Sequence, residues 1–380
     1  MTTVPDTMRS LVTRKYAYPT GWEVADMPVP TIKDPKEMLI KVHAAGISTG
    51  DTQLAKGFAK YILGDVEMPH KIGIEAAGVV VKVGSGVTCF KPGDAVYAFA
   101  VSRPMNMLAP HGYCSEYCVA REPLVLHKPG GAVDFVDLCN LTGVVTALQA
   151  IEMGLRLMRD NGVTSGLEGK TVFVPGALSA TGSVAIQLLK NVYGVGRLIA
   201  TVSTPKVPLV EKYLPGLVDQ VVDYTKCKRL TDEIPAGSVD LVYNTQWGVE
   251  GTFPLVKRDT GVVASIASLP TPELLRGGKD GPGMLPPLPF WAYWFAAIAQ
   301  LWYAWKLWGT NIKHELHSGN IEVREDLERA GEIMALGKVR PIKRVVDLED
   351  IETVRREAQK VATGKGGIGK LVIRIVKEDE

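Results

Sequence analysis

The stretch that most constrains how this chain can fold runs from Val172 to Gln187 and reads VFVPGALSATGSVAIQ. It opens as a short apolar strand, passes through small residues, and continues as an apolar helical segment to about Lys190. A strand, a tight turn and a helix N-terminus form a phosphate cradle, because backbone N–H groups and the helix dipole face an anion there. The stretch therefore predicts either a dinucleotide site or an ordinary strand–turn–helix unit.

This turn departs from the G-x-G-x-x-G pattern of dinucleotide sites. In the register that ends at Gly182, Ala177 and Ser179 occupy the places of the first two glycines, and Gly176 lies one place earlier. The small side chains still permit close approach of a pyrophosphate. The residues predicted to contact a cofactor in this turn are Gly176, Ala177, Ser179, Ala180, Thr181 and Gly182.

Composition excludes several classes of protein. The chain has 380 residues, 22% of them charged, and a formal net charge of +2, which gives no electrostatic case for binding nucleic acid. Five scattered cysteines do not suggest a disulfide framework, so a reducing compartment is expected. The first 18 residues lack the apolar core of a secretory signal, and we therefore expect a cytoplasmic protein.

The pattern of elements changes along the chain. Residues 1–135 contain β-branched runs bounded by glycine, whereas from residue 171 strands alternate with helices, as expected for a parallel sheet covered by helices. Residues 141–157 have helical spacing, and residues 154–169, which are polar and contain glycine, are predicted to form a surface loop. The fold class predicted is α/β.

A second unusual stretch, residues 284–308, holds five of the seven tryptophans. Its unbroken apolar part, 290–305, is about 16 residues long, whereas a membrane-spanning helix needs roughly 20, so no membrane span is expected. The segment is instead expected to cover an apolar substrate cleft or to pack between subunits. Shallow association with a membrane surface is the remaining alternative.

Five separated motifs occur in an order that resembles the medium-chain dehydrogenase/reductase superfamily. They are VHAAGISTGD at 42–51, GIEAAGVV at 73–80, VGSG at 83–86 with FKPGDAV at 90–96, the turn at 174–187, and GKLVI at 369–373. Within that superfamily the chain is similar to the zinc-free quinone oxidoreductases and enoyl reductases, including fungal trans-acting enoyl reductases. The resemblance implies a Rossmann doubly wound parallel sheet plus a GroES-like β domain. We expect the GroES-like domain at 1–135 and 311–380 and the NADPH-binding Rossmann domain at 136–310.

The resemblance also bears on metal binding. Zinc members of the superfamily carry Cys where this chain has Ser48 and His where it has Ile74, and neither replacement is a zinc ligand. Glu75 alone is not a site, and no four-cysteine lobe follows residue 97. We therefore expect no metal, and we expect Cys114 and Cys118 to be buried as small apolar residues.

The end of the second predicted Rossmann strand, 198–202, favours NADPH over NADH. Ser203 and Lys206 follow it, and no acidic residue occurs before Glu211 to hold a ribose 2′-hydroxyl. The resemblance implies cofactor contacts from Ser203, Lys206 and Tyr224, and from Thr146 near the nicotinamide. Asn244 and Thr245, at the end of a later strand, are also expected to lie near the cofactor.

The proton donor for conjugate reduction is not evident from the sequence. Relatives place Tyr or Lys two residues after the position of Asp51, where this chain has Gln53, and an amide cannot act as a general acid. The candidate catalytic residues are Gln53, Tyr61 and Ser48, although Tyr61 is equally an ordinary packed or surface aromatic residue. His43, His70 and His111 are further candidates that are more readily structural.

Taken together, these features predict a zinc-independent, NADPH-dependent reductase. It would transfer hydride to a conjugated C=C bond or a quinone of a hydrophobic small molecule, as a monomer or homodimer. Secondary metabolism is one setting for such a reaction. The alternative is that the same fold serves as a non-redox catalyst or as a binding protein for a hydrophobic pathway intermediate.

Overall fold

A computed structural model describes residues 4–58, 60–105, 112–278 and 281–376. They form two compact units. Unit 1 comprises residues 1–142, 321–335 and 343–380, and unit 2 comprises residues 143–320 and 336–342. The chain thus leaves unit 1, forms most of unit 2, and returns.

The strands and helices of the described residues are numbered along the chain. The strands are β1 (Thr7–Thr13), β2 (Glu23–Pro28), β3 (Glu37–Ile47), β4 (His70–Lys71), β5 (Glu75–Val83), β6 (Ala95–Phe99), β7 (Tyr117–Arg121), β8 (Val125–His127), β9 (Thr171–Val174), β10 (Arg197–Val202), β11 (Gln220–Asp223), β12 (Leu241–Asn244), β13 (Val262–Ser265), β14 (Gly277–Gly278), β15 (Gly281–Pro282), β16 (Lys313–Leu316), β17 (Lys343–Asp347) and β18 (Lys370–Arg374). The α-helices are α1 (Thr49–Ala55), α2 (Lys60–Leu63), α3 (Phe135–Leu138), α4 (Leu141–Asp160), α5 (Ala180–Asn191), α6 (Val207–Tyr213), α7 (Pro272–Arg276), α8 (Phe290–Lys306), α9 (Arg324–Ala335) and α10 (Ile351–Thr363). Short 3₁₀ turns occur at Pro19–Gly21, Glu122–Leu124, Thr204–Lys206, Leu230–Asp232 and Val249–Leu255.

Unit 1 is built on a seven-stranded sheet with the order β17-β18-β3-β5-β6-β8, in which β7 also pairs with β3. The long strand β3 runs antiparallel to β5, β7 and β18, so it ties the N-terminal part of the unit to its C-terminal part. The strands enclose an apolar core that includes Trp22, Ile40, Val96 and Ile373. A smaller sheet has the order β2-β1-β4.

Unit 2 is built on a six-stranded sheet with the order β11-β10-β9-β12-β13-β16. Every pairing in it is parallel. Counted along the chain, this order is 3-2-1-4-5-6, that of a dinucleotide-binding Rossmann sheet. The order reverses between β9 and β12, and the carboxyl ends of these two strands are where such sheets bind ligands. The predicted α/β fold class is confirmed.

The structure corrects the sequence analysis at residues 154–169, where a surface loop was expected. Helix α4 continues to Asp160, because Gly154 packs tightly on the sheet: a Cβ atom there would lie 2.9 Å from Cδ1 of Leu241. The absent side chain lets the helix approach β12. A glycine that the sequence suggested as a loop residue is therefore a packing residue.

The second boundary between the two units also differs from the one expected from the sequence. The sequence placed it at 310/311, whereas β16 pairs in parallel with β13 and unit 2 extends to Asn320. The first boundary lies at 142/143 instead of 135/136. Strand β16 was not predicted, because its sequence, KHEL, has only one apolar residue.

Among the described residues, one helix is long and apolar enough to cross a membrane by length and composition, namely Leu141–Asp160. Of its most apolar window, 67% is buried. This burial is typical of the core helix of a folded domain.

Candidate functional site

The turn after β9 is fixed to the neighbouring strand β10. Gly176 has a φ of +75°, a conformation that favours glycine, and its N–H donates to Oγ1 of Thr201 at 3.1 Å. The N–H of Ala177 donates to the carbonyl of Thr201 at 2.9 Å. Thr201, which the sequence analysis did not single out, therefore sets the path of the turn from the end of β10.

The start of α5 lies unusually close to this turn. A Cβ atom on Gly182 would lie 2.4 Å from the carbonyl oxygen of Gly176 and 2.7 Å from Oγ of Ser179. Ser179 caps the helix, because its Oγ accepts the N–H of Gly182 at 3.0 Å. Ala180 and Thr181, in the first turn of the helix, are half-buried. Gly182 thus performs the close-packing role of the third glycine of a dinucleotide turn.

The end of β12 packs against the same turn. Oγ1 of Thr245 donates to the carbonyl of Pro175 at 2.6 Å, and the Gln246 amide donates to Oγ1 of Thr245 at 3.0 Å. A Cβ atom on Gly176 would lie 2.7 Å from Nε2 of Gln246. Gln246 was missed by the sequence analysis, although its place after Asn244 and Thr245 at a strand end was a usable signal.

Asn244 fixes the segment after β12 through hydrogen bonds with the backbone of Gln246. It is 1% exposed, and its Nδ2 donates to the carbonyl of Gln246 at 2.8 Å and to Oγ of Ser265 at 3.0 Å. The Oδ1 atom accepts the N–H of Gln246 at 3.3 Å. Asn244 therefore lies in the loop beside the turn, and its amide is engaged by the protein.

A carboxylate from the neighbouring strand β11 lies beside the segment that follows β10. Asp223, at the end of β11, accepts hydrogen bonds from Oγ1 of Thr204 and from Oγ1 of Thr225, each at 2.6 Å. These hydroxyls lower the pKa of Asp223. Ser203 and Lys206 are half-buried in the same segment, and Tyr224 is 53% exposed.

Thr146 lies on α4 beside the loop that follows β16. A Cβ atom on Gly319 would lie 2.2 Å from Oγ1 of Thr146. Gln149 fixes that loop, since its Nε2 donates to the carbonyl of Asn320 and its Oε1 accepts the N–H of Asn320, both at 2.8 Å. The structure thus places Thr146 next to the segment at the carboxyl end of the sixth strand of the sheet.

In unit 1, Ser48 and Asp51 form the cap of α1. Oδ2 of Asp51 accepts both the N–H and the Oγ–H of Ser48 at 2.7 Å, and Oδ1 accepts the N–H of Gly73 at 3.1 Å. Burial raises the pKa of Asp51, while the bonds from Ser48 oppose that shift. The Ser48 hydroxyl is therefore engaged in capping, which leaves it less suited to the catalytic role expected for it.

A second buried carboxylate, Glu75, lies in an ion pair with Lys370. The two side chains are 2% and 7% exposed. Oε2 of Glu75 accepts from Oγ1 of Thr142 at 2.5 Å and from the Tyr97 hydroxyl at 3.2 Å. Burial, and then the charge of Glu75, raise the pKa of Tyr97 well above its usual range. The sequence analysis considered Glu75 only as a remnant of a zinc site and missed its pairing with Lys370.

Metal binding finds no support in the side-chain clusters that the structure describes. No group of three or more His, Cys, Asp or Glu residues able to hold a metal ion occurs among the described residues. The absence of zinc stays a prediction. Cys114 and Cys118 are 0% and 3% exposed within the core of unit 1, as the sequence predicted.

The candidate proton donors of unit 1 lie in different environments and differ in exposure. Gln53 is half-buried on α1, whereas Tyr61 is 85% exposed on α2. His43 stacks on Phe135 with ring centroids 4.5 Å apart, and burial lowers its pKa. His70 is 5% exposed, and His111 lies outside the described residues.

Two compact units, one holding an antiparallel β core and the other a Rossmann sheet with a glycine turn at its switch point, define the class of this protein as a two-domain α/β protein of the dehydrogenase type. Residues 34–130 match the alcohol dehydrogenase GroES-like domain. By this domain and by the fold of the solved structures it superposes on, the chain resembles the medium-chain dehydrogenase/reductase superfamily.

Three comparisons describe its relationships. The chain is 32% identical over 248 residues to the chloroplastic NADPH-dependent alkenal/one oxidoreductase of Arabidopsis thaliana, a match covering 65% of this chain and 59% of that protein. It is 27% identical over 359 residues to the trans-enoyl reductase of Gibberella fujikuroi, covering 85% of this chain and 96% of the relative. The quinone oxidoreductase structure from Coxiella burnetii superposes with a TM-score of 0.72 at 20% identity, over 97% of this chain and 100% of that one.

Proposed function

We propose that this protein is an NADPH-dependent reductase of conjugated C=C bonds in hydrophobic enones or enoyl thioesters, or of quinones. The observation that carries the proposal is the turn from β9 to α5. A Cβ atom on Gly176 or Gly182 would lie within 3 Å of other atoms of the protein, so only glycine lets the turn take this close-packed path. This turn lies at the switch point of a sheet with the dinucleotide-binding strand order. Relatives named as an alkenal/one oxidoreductase and a trans-enoyl reductase support the choice of reaction.

The residues present fit a dinucleotide. The start of α5, capped by Ser179, would receive the pyrophosphate, since its first-turn N–H groups and helix dipole favour an anion. Thr245 and Gln246 would line the same crevice from the end of β12. Ser203, Lys206 and Tyr224 would face the adenosine ribose, and Lys206 would attract a 2′-phosphate.

Asp223 adds a negative charge to the segment that would recognise the 2′-phosphate of NADPH. Its carboxylate is oriented by Thr204 and Thr225, and Lys226 lies 3.7 Å from it. Because Lys226 partly offsets the charge of Asp223, we expect Lys206 to dominate recognition of the 2′-phosphate.

When bound, the reduced nicotinamide supplies a hydride to the β-carbon of the conjugated substrate. The α-carbon then needs a proton, and the Gln53 amide can orient a carbonyl oxygen but cannot donate that proton by ionisation. Asp51 and Ser48 are engaged with each other. We therefore assign the proton to water and give Gln53 a positioning role.

The test is a titration of the purified chain with NADPH and NADH, followed by turnover of a panel of enones, enoyl thioesters and quinones. We expect at least about tenfold tighter binding of NADPH and its oxidation with an enone. Absence of nicotinamide binding would refute the proposal and favour a non-redox role for the same fold. Solution mass measurements would address whether the protein is a monomer or homodimer, and imaging of a tagged full chain would test the expected cytoplasmic location.

A further inference from the structure

Helix α8 carries a row of large apolar side chains that unit 2 leaves in solvent. They recur at helical spacing along one face and continue past its end, with exposed fractions between 39% and 85%. We call this set the aromatic face, and its members are Phe290, Trp291, Trp294, Phe295, Ile298, Leu301, Trp302, Trp305 and Trp308.

The opposite side of α8 is anchored to unit 2, so the helix cannot roll to bury the aromatic face. Ala296, Ala299 and Tyr303 are buried, and the Tyr303 ring packs edge-on against His314 with centroids 4.8 Å apart. Gln300 donates to the carbonyls of Leu269 and Pro270 at 3.0 and 3.1 Å. The exposure of the aromatic face is thus built into the packing of the helix.

Helix α8 carries a single charged residue, Lys306, at its C-terminal end. Residues 281–305 contain no charged residue, and Lys306 follows, with its Nζ 4.9 Å from the ring centre of Trp305. Lys306 and Arg258 also line a surface cavity of about 740 Å³ at this end of α8, together with Trp308 and one carboxylate, Glu250. The aromatic face therefore ends in two cations beside a single acid.

We propose that the aromatic face docks on a membrane surface containing anionic lipid, with α8 lying in the plane of the interface. Indole rings suit this location because each has an apolar body and one polar N–H group. An anionic headgroup would meet Lys306 and Arg258. A second copy of this chain fits less well, since its equivalent face would bring one acid, Glu250, against the two cations Lys306 and Arg258, and two further cations with it. The helix, with 17 residues and one side on the protein, does not span the bilayer.

The Lys306 end of the aromatic face lies apart from the proposed cofactor site. The cavity is lined by Val256, which bridges to Val239 before β12, and by Ile312, which precedes β16. These residues lie at the amino edge of the parallel sheet. The turn at Gly176 and Gly182 lies at the carboxyl edge, so the two cations Lys306 and Arg258 are at the opposite edge of the sheet from the proposed pyrophosphate position.

The test uses the full chain and sedimentation with two kinds of vesicle, phosphatidylcholine alone and phosphatidylcholine with a one-third share of phosphatidylglycerol. We expect saturable binding to the anionic vesicles, a blue shift of tryptophan fluorescence, and weakening by salt. Trp294→Ala and Trp305→Ala should each lower the affinity roughly tenfold. Lys306→Gln should lower it about fivefold on anionic vesicles only.

Trp247→Ala is the matched control, because Trp247 is 74% exposed but does not belong to the aromatic face. It should bind vesicles like the unmodified chain. Circular dichroism checks that every variant is folded. Failure to sediment with anionic vesicles, equal affinity for both kinds of vesicle, or an equal loss in Trp247→Ala would overturn the proposal. A concentration-dependent dimer that Trp294→Ala converts to a monomer would overturn it in favour of a second copy. Neither result depends on whether the protein oxidises NADPH.

Discussion

In unit 1 the carboxylates of Asp51 and Glu75 are buried and held by several donors, whereas in unit 2 the groups around Gly176 are neutral and range from buried Asn244 to half-buried Thr245. Both arrangements are polar, but they differ in what a substitution would change. Breaking a buried ion pair leaves an uncompensated charge and costs stability. Adding a side chain to a closely packed glycine turn displaces the turn that would receive a ligand. The comparison teaches that unit 1 buries charged groups that fix its fold, whereas unit 2 uses neutral hydrogen bonds to fix a turn at the edge of its sheet.

The largest effect should come from Lys370→Met. This change leaves the buried carboxylate of Glu75 without its cation, and we expect a loss of about 3–5 kcal/mol in the free energy of unfolding, measured in urea. The exposed ion pair of Arg14 and Glu23 offers a matched control, and Arg14→Met should cost less than about 1 kcal/mol. The double variant Glu75→Gln with Lys370→Met should recover part of the loss. Equal costs for the buried and the exposed pair would break the comparison.

His314 is a case in unit 2 that resembles the buried groups of unit 1. Burial lowers its pKa to about 4, and its Nε2 lies 3.2 Å from Oγ of Ser268. Between pH 6.5 and about 4 the unfolded chain binds a proton that the folded chain does not, so stability falls as the pH falls. The decrease in the free energy of unfolding that His314 contributes should reach at most about 3 kcal/mol near pH 4.

The variant His314→Phe would sharpen this point, because a phenyl ring can occupy the same place between Phe253 and Tyr303. We expect its unfolding free energy to decline less than that of the unmodified protein between pH 7 and pH 4. Urea unfolding at a series of pH values measures the difference. Parallel curves for the two proteins would show that His314 does not titrate as its burial requires.

A substitution in this closely packed turn should weaken ligand binding more than it lowers the free energy of unfolding. Gly182→Ala places a Cβ atom where 2.4 Å would separate it from the Gly176 carbonyl, so the helix must move away. We expect a loss of about 1–3 kcal/mol in NADPH binding, measured by calorimetry. Gly166→Ala is the control, since a Cβ there meets no atom within 4 Å. A Gly182→Ala protein with unchanged affinity would remove this turn from the proposed site.

The smallest effect concerns the choice of cofactor. Lys206→Ala should reduce the preference for NADPH over NADH about tenfold, or about 1.4 kcal/mol, because one charge-assisted phosphate contact is lost. Asp223→Asn should change the preference in the opposite direction, since the nearby negative charge is removed. Competition between the two cofactors measures both variants. An unchanged preference in Lys206→Ala would place recognition of the 2′-phosphate elsewhere.

The sequence by itself determined the fold class and the position of the glycine turn. Apolar β-branched runs and helical periodicity are local properties of the chain, and β9, β10, α5 and α6 lie close to where these patterns predict them. The sequence also singled out Ser179, Gly182 and Thr245, because strand ends and helix starts restrict which residues can stand there, and their contacts with a cofactor stay a prediction.

Only the tertiary structure decided the contacts between residues distant in the chain. Glu75 and Lys370 are brought together because β3 pairs with both β5 and β18. Asp223 reaches Thr204 because β10 and β11 are neighbours, and no linear scan of the residues after β10 could find it. Strand β16 was invisible in the sequence because its pairing with β13, and not its own apolar pattern, makes it a strand. Local pattern fixes where elements form, whereas the partners of a buried polar group depend on which elements pack together.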